Sequence, residues 1–116
     1  MNMPYVNVKL TQKLTHEQML EVKSGIAAEI VLIPNKTEAV LMVDIEDGKT
    51  IFFRGEQMEN GAFVDVKMYG TCDFEAKAAF TRAIYKLFGQ VLDIAENQMF
   101  ITLLEYDTWG TSGNLK

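Results

Sequence analysis

The sequence predicts one small α+β domain made of two similar strand–helix–strand halves, and a near-repeat within the chain is the main reason. Residues 6–9, Val-Asn-Val-Lys, recur as Val-Asp-Val-Lys at residues 64–67, and this separation of 58 is half of the length of 116. At the same separation, residues 40–43 fall on the mostly apolar residues 98–101. Similarity at a fixed spacing indicates an internal duplication.

The first predicted half begins with a strand at residues 5–10, where apolar and polar side chains alternate. Thr15 followed by Gln18 has the spacing of a capping box, so a helix is predicted over residues 15–32. Its apolar side chains recur at helical spacing: Met19, Val22, Ile26 and Ile30. Pro34 ends the helix because proline lacks a backbone N–H.

The second predicted half repeats this order, with a strand at residues 63–69 and a helix that begins near Asp73. The apolar stripe of that helix is Ala76, Phe80, Ile84, Leu87 and Val91. Residues 39–45 and 98–106 are mostly apolar, as expected of strands inside a sheet. Residues 51–53 follow a turn signal and predict a brief edge strand or loop arm.

Two parallel βαβ units predict a four-stranded sheet with both helices on one face. The whole chain, 1–116, is then one domain with pseudo-repeats at about 4–46 and 62–106. The second face of the sheet lacks a cover, and the alternating and apolar strands are expected to supply apolar side chains to both faces. A large exposed apolar face is unusual on a monomer, so a homotrimer with its sheets facing inward is predicted.

Composition narrows the classes of function. Hydrophobic residues make up 48% of the chain, yet no apolar run approaches the ~20 residues of a membrane span, so no membrane partner is predicted. The net charge of -5 and the scattered basic residues argue against a nucleic-acid partner. An anionic small molecule stays possible. The lone Cys72 and the lack of a basic, apolar leader pattern predict a cytoplasmic protein, with unconventional export left open.

Several segments together resemble one known family. Residues 3–8, Met-Pro-Tyr-Val-Asn-Val, look like the start of a tautomerase-superfamily protein. The likeness continues through residues 53–56, 61–64 and 68–70, and the tail tryptophan Trp109. The chain therefore resembles the macrophage migration inhibitory factor branch over nearly its whole length. This resemblance implies a trimer of duplicated βαβ units, in agreement with the trimer expected from the layers.

The resemblance also implies a reaction, the keto–enol tautomerisation of a small α-keto acid, expected to be aromatic, such as phenylpyruvate. Pro4 would be the general base, because burial and nearby cations disfavour the protonated form of a secondary amine and lower its pKa toward neutrality. No cofactor and no metal are expected. Without the resemblance, Pro4 is more simply read as the first residue of an edge strand.

The position of Pro4 raises a difficulty, because a proline nitrogen inside a peptide bond is not basic. If translation starts at Met3, removal of that methionine frees Pro4. If it starts at Met1, the Asn2 side chain is expected to hinder methionine removal, and the site stays blocked. The sequence leaves this choice open.

The other site residues implied by the resemblance match only in part. The family's carboxylate-binding lysine falls at Ile33, so Lys36, Lys67 and Arg54 are the candidate cations. The alternative for both lysines is a solvated surface position. Tyr69 stands where a backbone N–H meets the substrate in the family, and its bulk would narrow the pocket.

Phe100 and Thr102 replace a tyrosine and an asparagine that border the pocket from a neighbouring subunit in the family, and Trp109 is a candidate apolar wall. Phe100 is also read as a core residue. These replacements support an alternative function, a trimeric binding or interaction protein that has little or no catalysis. His16 is read as solvated, Cys72 as a passive thiol, and no phosphate loop, zinc spacing or dinucleotide fingerprint occurs.

Overall fold

The computed structural model describes residues 4–116, which form a four-stranded sheet, two helices and two small hairpins. The main sheet and the helices comprise β1 (Tyr5–Leu10), α1 (His16–Glu29), β2 (Met42–Glu46), β5 (Ala62–Tyr69), α2 (Phe74–Leu92) and β6 (Met99–Tyr106). The hairpins comprise β3 (Phe52–Phe53) with β4 (Glu56–Gln57), and β7 (Gly110–Thr111) with β8 (Asn114–Leu115).

The sheet has the order β2-β1-β5-β6, with antiparallel pairing only between the central strands β1 and β5. Tyr5 pairs with Met42 and Phe63 with Phe100, so the partners in each parallel pair are 37 residues apart along the chain. An internal duplication would produce this equality. The predicted α+β class and the four-stranded sheet are confirmed, whereas the repeat boundaries stay a prediction.

Local signals explain how the helices begin. Gln18 N–H donates to the Thr15 hydroxyl at 3.1 Å and the Gln18 side chain accepts from Thr15 N–H at 2.9 Å, which is the predicted capping box. Asp73 caps α2 by accepting from Ala76 N–H at 2.8 Å. Beyond α1, residues 30–32 form a 3-10 turn, so the predicted helical segment 15–32 is largely correct.

The core lies between the two helices and one face of the sheet. Two buried positions of α1 and one in the 3-10 turn that follows it recur in α2 at the separation of 58. All six side chains are 0% exposed: Val22 with Phe80, Ile26 with Ile84, and Ile30 with Phe88. The two helices also contact each other, and a Cβ added at Gly25 would clash with the Leu87 side chain.

Three details of the sequence prediction are wrong. Residues 38–40 form a 3-10 turn, so β2 begins at Met42 rather than near residue 39. The buried positions near the end of α2 are Phe88 and Leu92, whereas Leu87 and Val91 are only partly buried. The stripe predicted from sequence was therefore displaced by one residue at this end.

The third error concerns the uncovered face of the sheet. The buried strand residues Val6, Val8, Val64 and Val66 all belong to the core beneath the helices, because cross-strand partners point to the same side. The opposite face, called the open face below, carries the alternate residues. On β1 and β2 these are mainly polar, and on β5 and β6 they include the exposed Phe63, Phe100 and Leu104. The open face, which the sequence predicted to be apolar throughout, thus carries exposed apolar side chains mainly on β5 and β6.

Candidate active site

A cavity of about 480 Å³ lies where β1 begins. Pro4 is buried there, and its carbonyl oxygen accepts a hydrogen bond from Met42 N–H at 3.0 Å, which ties the start of β1 to β2. The cavity is lined by Pro4, Tyr5, residues 39–42, Lys67 and residues 109–111. Three of the residues predicted from sequence, Pro4, Lys67 and Trp109, therefore lie around one cavity.

Strand register explains why these residues meet. Tyr5 pairs with Met42 on one side and with Lys67 on the other, so the three side chains form one row across the open face. This row lies directly next to Pro4, because Tyr5 is the residue that follows Pro4 in the chain. The cavity consequently opens on the side of the sheet that the helices do not cover.

Lys67 supplies the positive charge of this cavity among the described residues that line it. Its Nζ lies 5.7 Å from the centroid of the Tyr5 ring and 3.8 Å from a carboxylate oxygen of Asp65. The side chain keeps 41% of its surface exposed, so the ammonium group can reach a ligand. An anionic group on a small molecule would find its counter-charge here.

Tyr5 is held by an acid on the neighbouring strand. Its hydroxyl donates to Asp44 Oδ2 at 2.6 Å, and this hydrogen bond, with burial and the charges of Asp44 and Glu46, raises the pKa of Tyr5 to about 12. Tyr5 is therefore protonated throughout the physiological range. Its ring forms a fixed wall of the cavity, because the hydroxyl is tethered away from the Pro4 end.

The tail hairpin forms the rim of the cavity. Trp109 and Lys116 exchange two backbone hydrogen bonds of 3.0 Å, which close the β7–β8 hairpin. The Trp109 ring packs edge-on against Tyr106, with centroids 5.9 Å apart. These contacts carry Trp109 from the end of the chain to the apolar side of the cavity.

Lys36 and Tyr69 lie together but do not line this cavity. Lys36 is 4% exposed, and its Nζ donates to the Tyr69 carbonyl oxygen at 3.2 Å. Burial lowers the pKa of Lys36. The Tyr69 ring is instead covered by the Lys116 ammonium, 5.6 Å from its centroid. Ile33, at the position of the family's lysine, is a core residue that is 1% exposed.

Arg54, Phe100 and Thr102 lie on the β5–β6 side of the molecule. The Arg54 guanidinium carbon is 5.1 Å from the centroid of Phe53, whose ring packs edge-on against Phe100 at 5.2 Å. The Thr102 hydroxyl donates to Asp65 at 3.0 Å. None of the three lines the Pro4 cavity of its own chain. The resemblance assigns Phe100 and Thr102 to the pocket of a neighbouring chain.

Sequence reasoning missed Tyr5, Met42 and the loop of residues 39–41 as cavity residues. Tyr5 could have been found, because it directly follows Pro4 and alternates in phase with the polar residues of β1. Met42 carried no such signal, since its place beside Tyr5 depends on the register between β1 and β2.

Two other titratable residues considered in the sequence, His16 and Cys72, do not line the Pro4 cavity. His16 is exposed. Burial, followed by the nearby Glu105 carboxylate, raises the pKa of Cys72, which disfavours a reactive thiolate. Among residues 4–116, no group of three or more His, Cys, Asp or Glu side chains could hold a metal ion. No helix in this range is both long and apolar enough to cross a membrane.

Comparison with known structures identifies the fold. MIF2 of Leishmania major superposes with a TM-score of 0.88 at 17% identity, over 98% of this chain and 97% of its own. Pt0534 inactivated by 2-oxo-3-pentynoate gives 0.84 at 18% identity, over 94% and 92%. A fused 4-OT protein in the form of a symmetric trimer gives 0.79 at 16% identity, over 87% and 85%.

By sequence, the chain matches no protein-family model and no curated protein. The structural likenesses nevertheless extend over nearly the whole chain, so this protein has the fold of the MIF-like and tautomerase-superfamily proteins. The predicted resemblance is confirmed at the level of the fold. Identities below a fifth do not carry an activity across.

Proposed function

We propose that this protein is a keto–enol tautomerase that acts on a small aromatic α-keto acid such as phenylpyruvate, with the nitrogen of Pro4 as general base. The observation that carries the proposal is the position of Pro4, which is buried at a cavity with an apolar wall and the single lysine Lys67. The 2-oxo compound that inactivates the structurally similar Pt0534 supports the same class of ligand.

The environment of Pro4 suits a base. An α-amino group ordinarily has a pKa of about 8, and both burial and a nearby positive charge disfavour its protonated form. Pro4 has both, since it is buried and Lys67 lines the same cavity. A depressed pKa would leave the amine unprotonated at neutral pH, where it can accept a proton.

The reaction moves one proton and breaks no bond between heavy atoms. The Pro4 nitrogen takes a proton from the carbon beside the keto group, and the electrons of that C–H bond form the C=C bond of an enolate. The enolate oxygen then receives a proton from the protonated amine, which yields the enol and restores the base. Lys67 would bind the carboxylate and offset negative charge, and Trp109 would contact the aromatic ring.

A homotrimer belongs to this proposal. The exposed side chains of Phe63, Phe100 and Leu104 form an apolar strip on the open face, which association would bury. The structurally similar fused 4-OT protein is a symmetric trimer. The Pro4 cavity opens on this same face, so a neighbouring chain would complete its walls.

The test compares two forms of the protein, one beginning at Pro4 and one that keeps residues 1–3. Only the first has a basic proline nitrogen, so it alone is expected to tautomerise phenylpyruvate. Light scattering is expected to give three times 13.1 kDa for the form that keeps residues 1–3 and three times its own slightly smaller chain mass for the form beginning at Pro4. Equal thermal unfolding would exclude a folding difference. Equal turnover in the two forms would contradict the mechanism.

A second candidate function is a trimeric binding protein with weak or no catalysis. The burial of Ile33 and the engagement of Thr102 with Asp65 favour it, because both positions lack a free polar group for a substrate. This alternative predicts little turnover from a freed Pro4 and a proline nitrogen that titrates near the ordinary ~8. A depressed pKa with robust turnover would reject it.

A further inference from the structure

Lys67 is held at the Pro4 cavity by groups from two different strands. The Tyr5 ring on β1 lies beneath the ammonium group, at 5.7 Å from centroid to Nζ. Asp65, two residues earlier on β5, approaches the same nitrogen to 3.8 Å from the side that faces the middle of the sheet. The ammonium group thus lies between an aromatic face at the cavity and a carboxylate further along β5.

The Tyr5 ring is itself fixed in place. Its hydroxyl donates to Asp44 Oδ2 at 2.6 Å, a length typical of a strong bond to a carboxylate. Asp44 lies on β2, and the backbone bond between Met42 N–H and the Pro4 carbonyl oxygen holds β2 against the start of β1. A continuous chain of contacts thus runs from Asp44 through Tyr5 to Lys67.

We propose that Tyr5, anchored by Asp44, is a positioning residue that holds the ammonium group of Lys67 at the Pro4 cavity, ready to bind a carboxylate. The inference rests on the proposed function in one respect, namely that the ligand carries a carboxylate. It adds a residue that the resemblance did not assign, and it selects Lys67 among the three candidate cations.

The physical gain is preorganisation. A lysine has a flexible four-carbon stem, and a ligand that binds a free lysine must pay for ordering it. An ammonium group already held over an aromatic face loses less freedom when the carboxylate arrives. At a partly exposed site, a cation–π contact corresponds to about two- to fivefold in an equilibrium constant.

The experiment measures binding rather than turnover, in the chain beginning at Pro4, which keeps all eight strands and both helices. The probes are 3-phenylpropanoate and 3-phenylpropanamide, which have nearly the same shape but differ in charge. The readout is the ratio of the two Kd values from calorimetric titration. A role in folding alone would weaken both probes equally and leave this ratio unchanged.

Wild-type protein is expected to prefer the carboxylate, and Lys67→Ala to bring the ratio close to one. Tyr5→Leu removes the ring and is expected to lower the ratio about two- to fivefold. Tyr5→Phe keeps the ring but loses the hydrogen bond to Asp44, so it is expected to retain more of the preference than Tyr5→Leu and less than wild type. Lys9→Ala is the matched control, because Lys9 lies on the same strand face but does not line the cavity, so its ratio should equal that of wild type.

A wild-type ratio in Tyr5→Leu would overturn the proposal, as would an unchanged ratio in Lys67→Ala. If Tyr5→Leu does not fold, Tyr5→Val, a better strand former, takes its place with the same expected loss. Carboxylate preference without turnover of phenylpyruvate would uphold this inference and contradict the proposed function. Turnover with an unchanged ratio in the Tyr5 variants would do the reverse.

Discussion

The two halves of the molecule have the same order of strand, helix and strand, but the cavities at their equivalent strand ends differ. The Pro4 cavity is lined by residues 4, 5 and 39–42 of the first half, together with Lys67 of the second half and residues 109–111 of the tail. At the separation of 58, residues 97 and 98 stand in the places of residues 39 and 40, and they line a second cavity of about 530 Å³. Ala62 occupies the position of Pro4 in this half. Pro4 therefore lines the first cavity, whereas the equivalent Ala62 does not line the second.

The surroundings of the two cavities differ as well. Residues 39–42 and Trp109 give the first an apolar wall, whereas the second is lined by Arg54 and the acids Glu56, Glu59 and Asp93. On the open face the polarity of the two halves is the opposite of that of their cavities. The polar network lies on β1 and β2 of the first half, and the exposed apolar side chains lie on β5 and β6 of the second. Two halves with the same order of strand, helix and strand place cavities at equivalent strand ends, and the residue types decide what each cavity can bind.

The largest expected effect tests whether the two helices contribute equally to the core. Phe80→Ala is expected to lower the free energy of unfolding by about 3–5 kcal/mol, because it removes a fully buried aromatic ring. Val22→Ala, at the equivalent position of α1, removes much less apolar surface and is expected to cost about 2 kcal/mol. Urea unfolding measures both, and equal losses would show that the second half does not dominate the core.

The next effect tests the difference between the two cavities. In the chain beginning at Pro4, Lys67→Ala is expected to raise the KM for phenylpyruvate about tenfold or more, since a hydrogen bond to a charged group contributes about 1.5–3 kcal/mol. Arg54→Ala removes a cation at the second cavity and is expected to change KM less than about twofold. Steady-state kinetics of both variants measure these changes in KM. A larger rise in KM for Arg54→Ala than for Lys67→Ala would indicate that Arg54, not Lys67, binds the carboxylate.

The smallest effect tests the polar network of the first half. Hydrogen bonds from Asn7, Lys49 and Lys9 lower the pKa of Glu46 to about 2 from its ordinary 4.5. Glu46 therefore adds stability above pH 4.5 that is lost as the pH falls toward 2. Glu46→Gln should flatten the dependence of unfolding free energy on pH in this window. An unchanged slope in urea titrations at several pH values would show that the network does not contribute.

Much of the framework could be predicted because its signals are local. The alternation in residues 5–10, the capping box at Thr15 and the Asp73 cap each depend on neighbours within a few residues, and each is present in the structure. The helical spacing of apolar residues also indicated the buried positions Val22, Ile26, Phe80 and Ile84. Errors arose where the signal was weak, as at residues 39–41, where apolar composition alone does not distinguish a strand from a 3-10 turn.

By itself the sequence determined the order of the four main strands and the two helices, their approximate bounds, the likeness to the tautomerase fold and the position of Pro4 at the start of a strand. Only the tertiary structure decided which residues surround Pro4, because contacts such as Tyr5 with Met42 and Lys67 depend on pairing between segments more than 30 residues apart. The same holds for the open face. Alternation along a strand divides its side chains between two faces but does not show which face the helices cover. The structure places Val6, Val8, Val64 and Val66 beneath the helices, so the alternate residues form the open face.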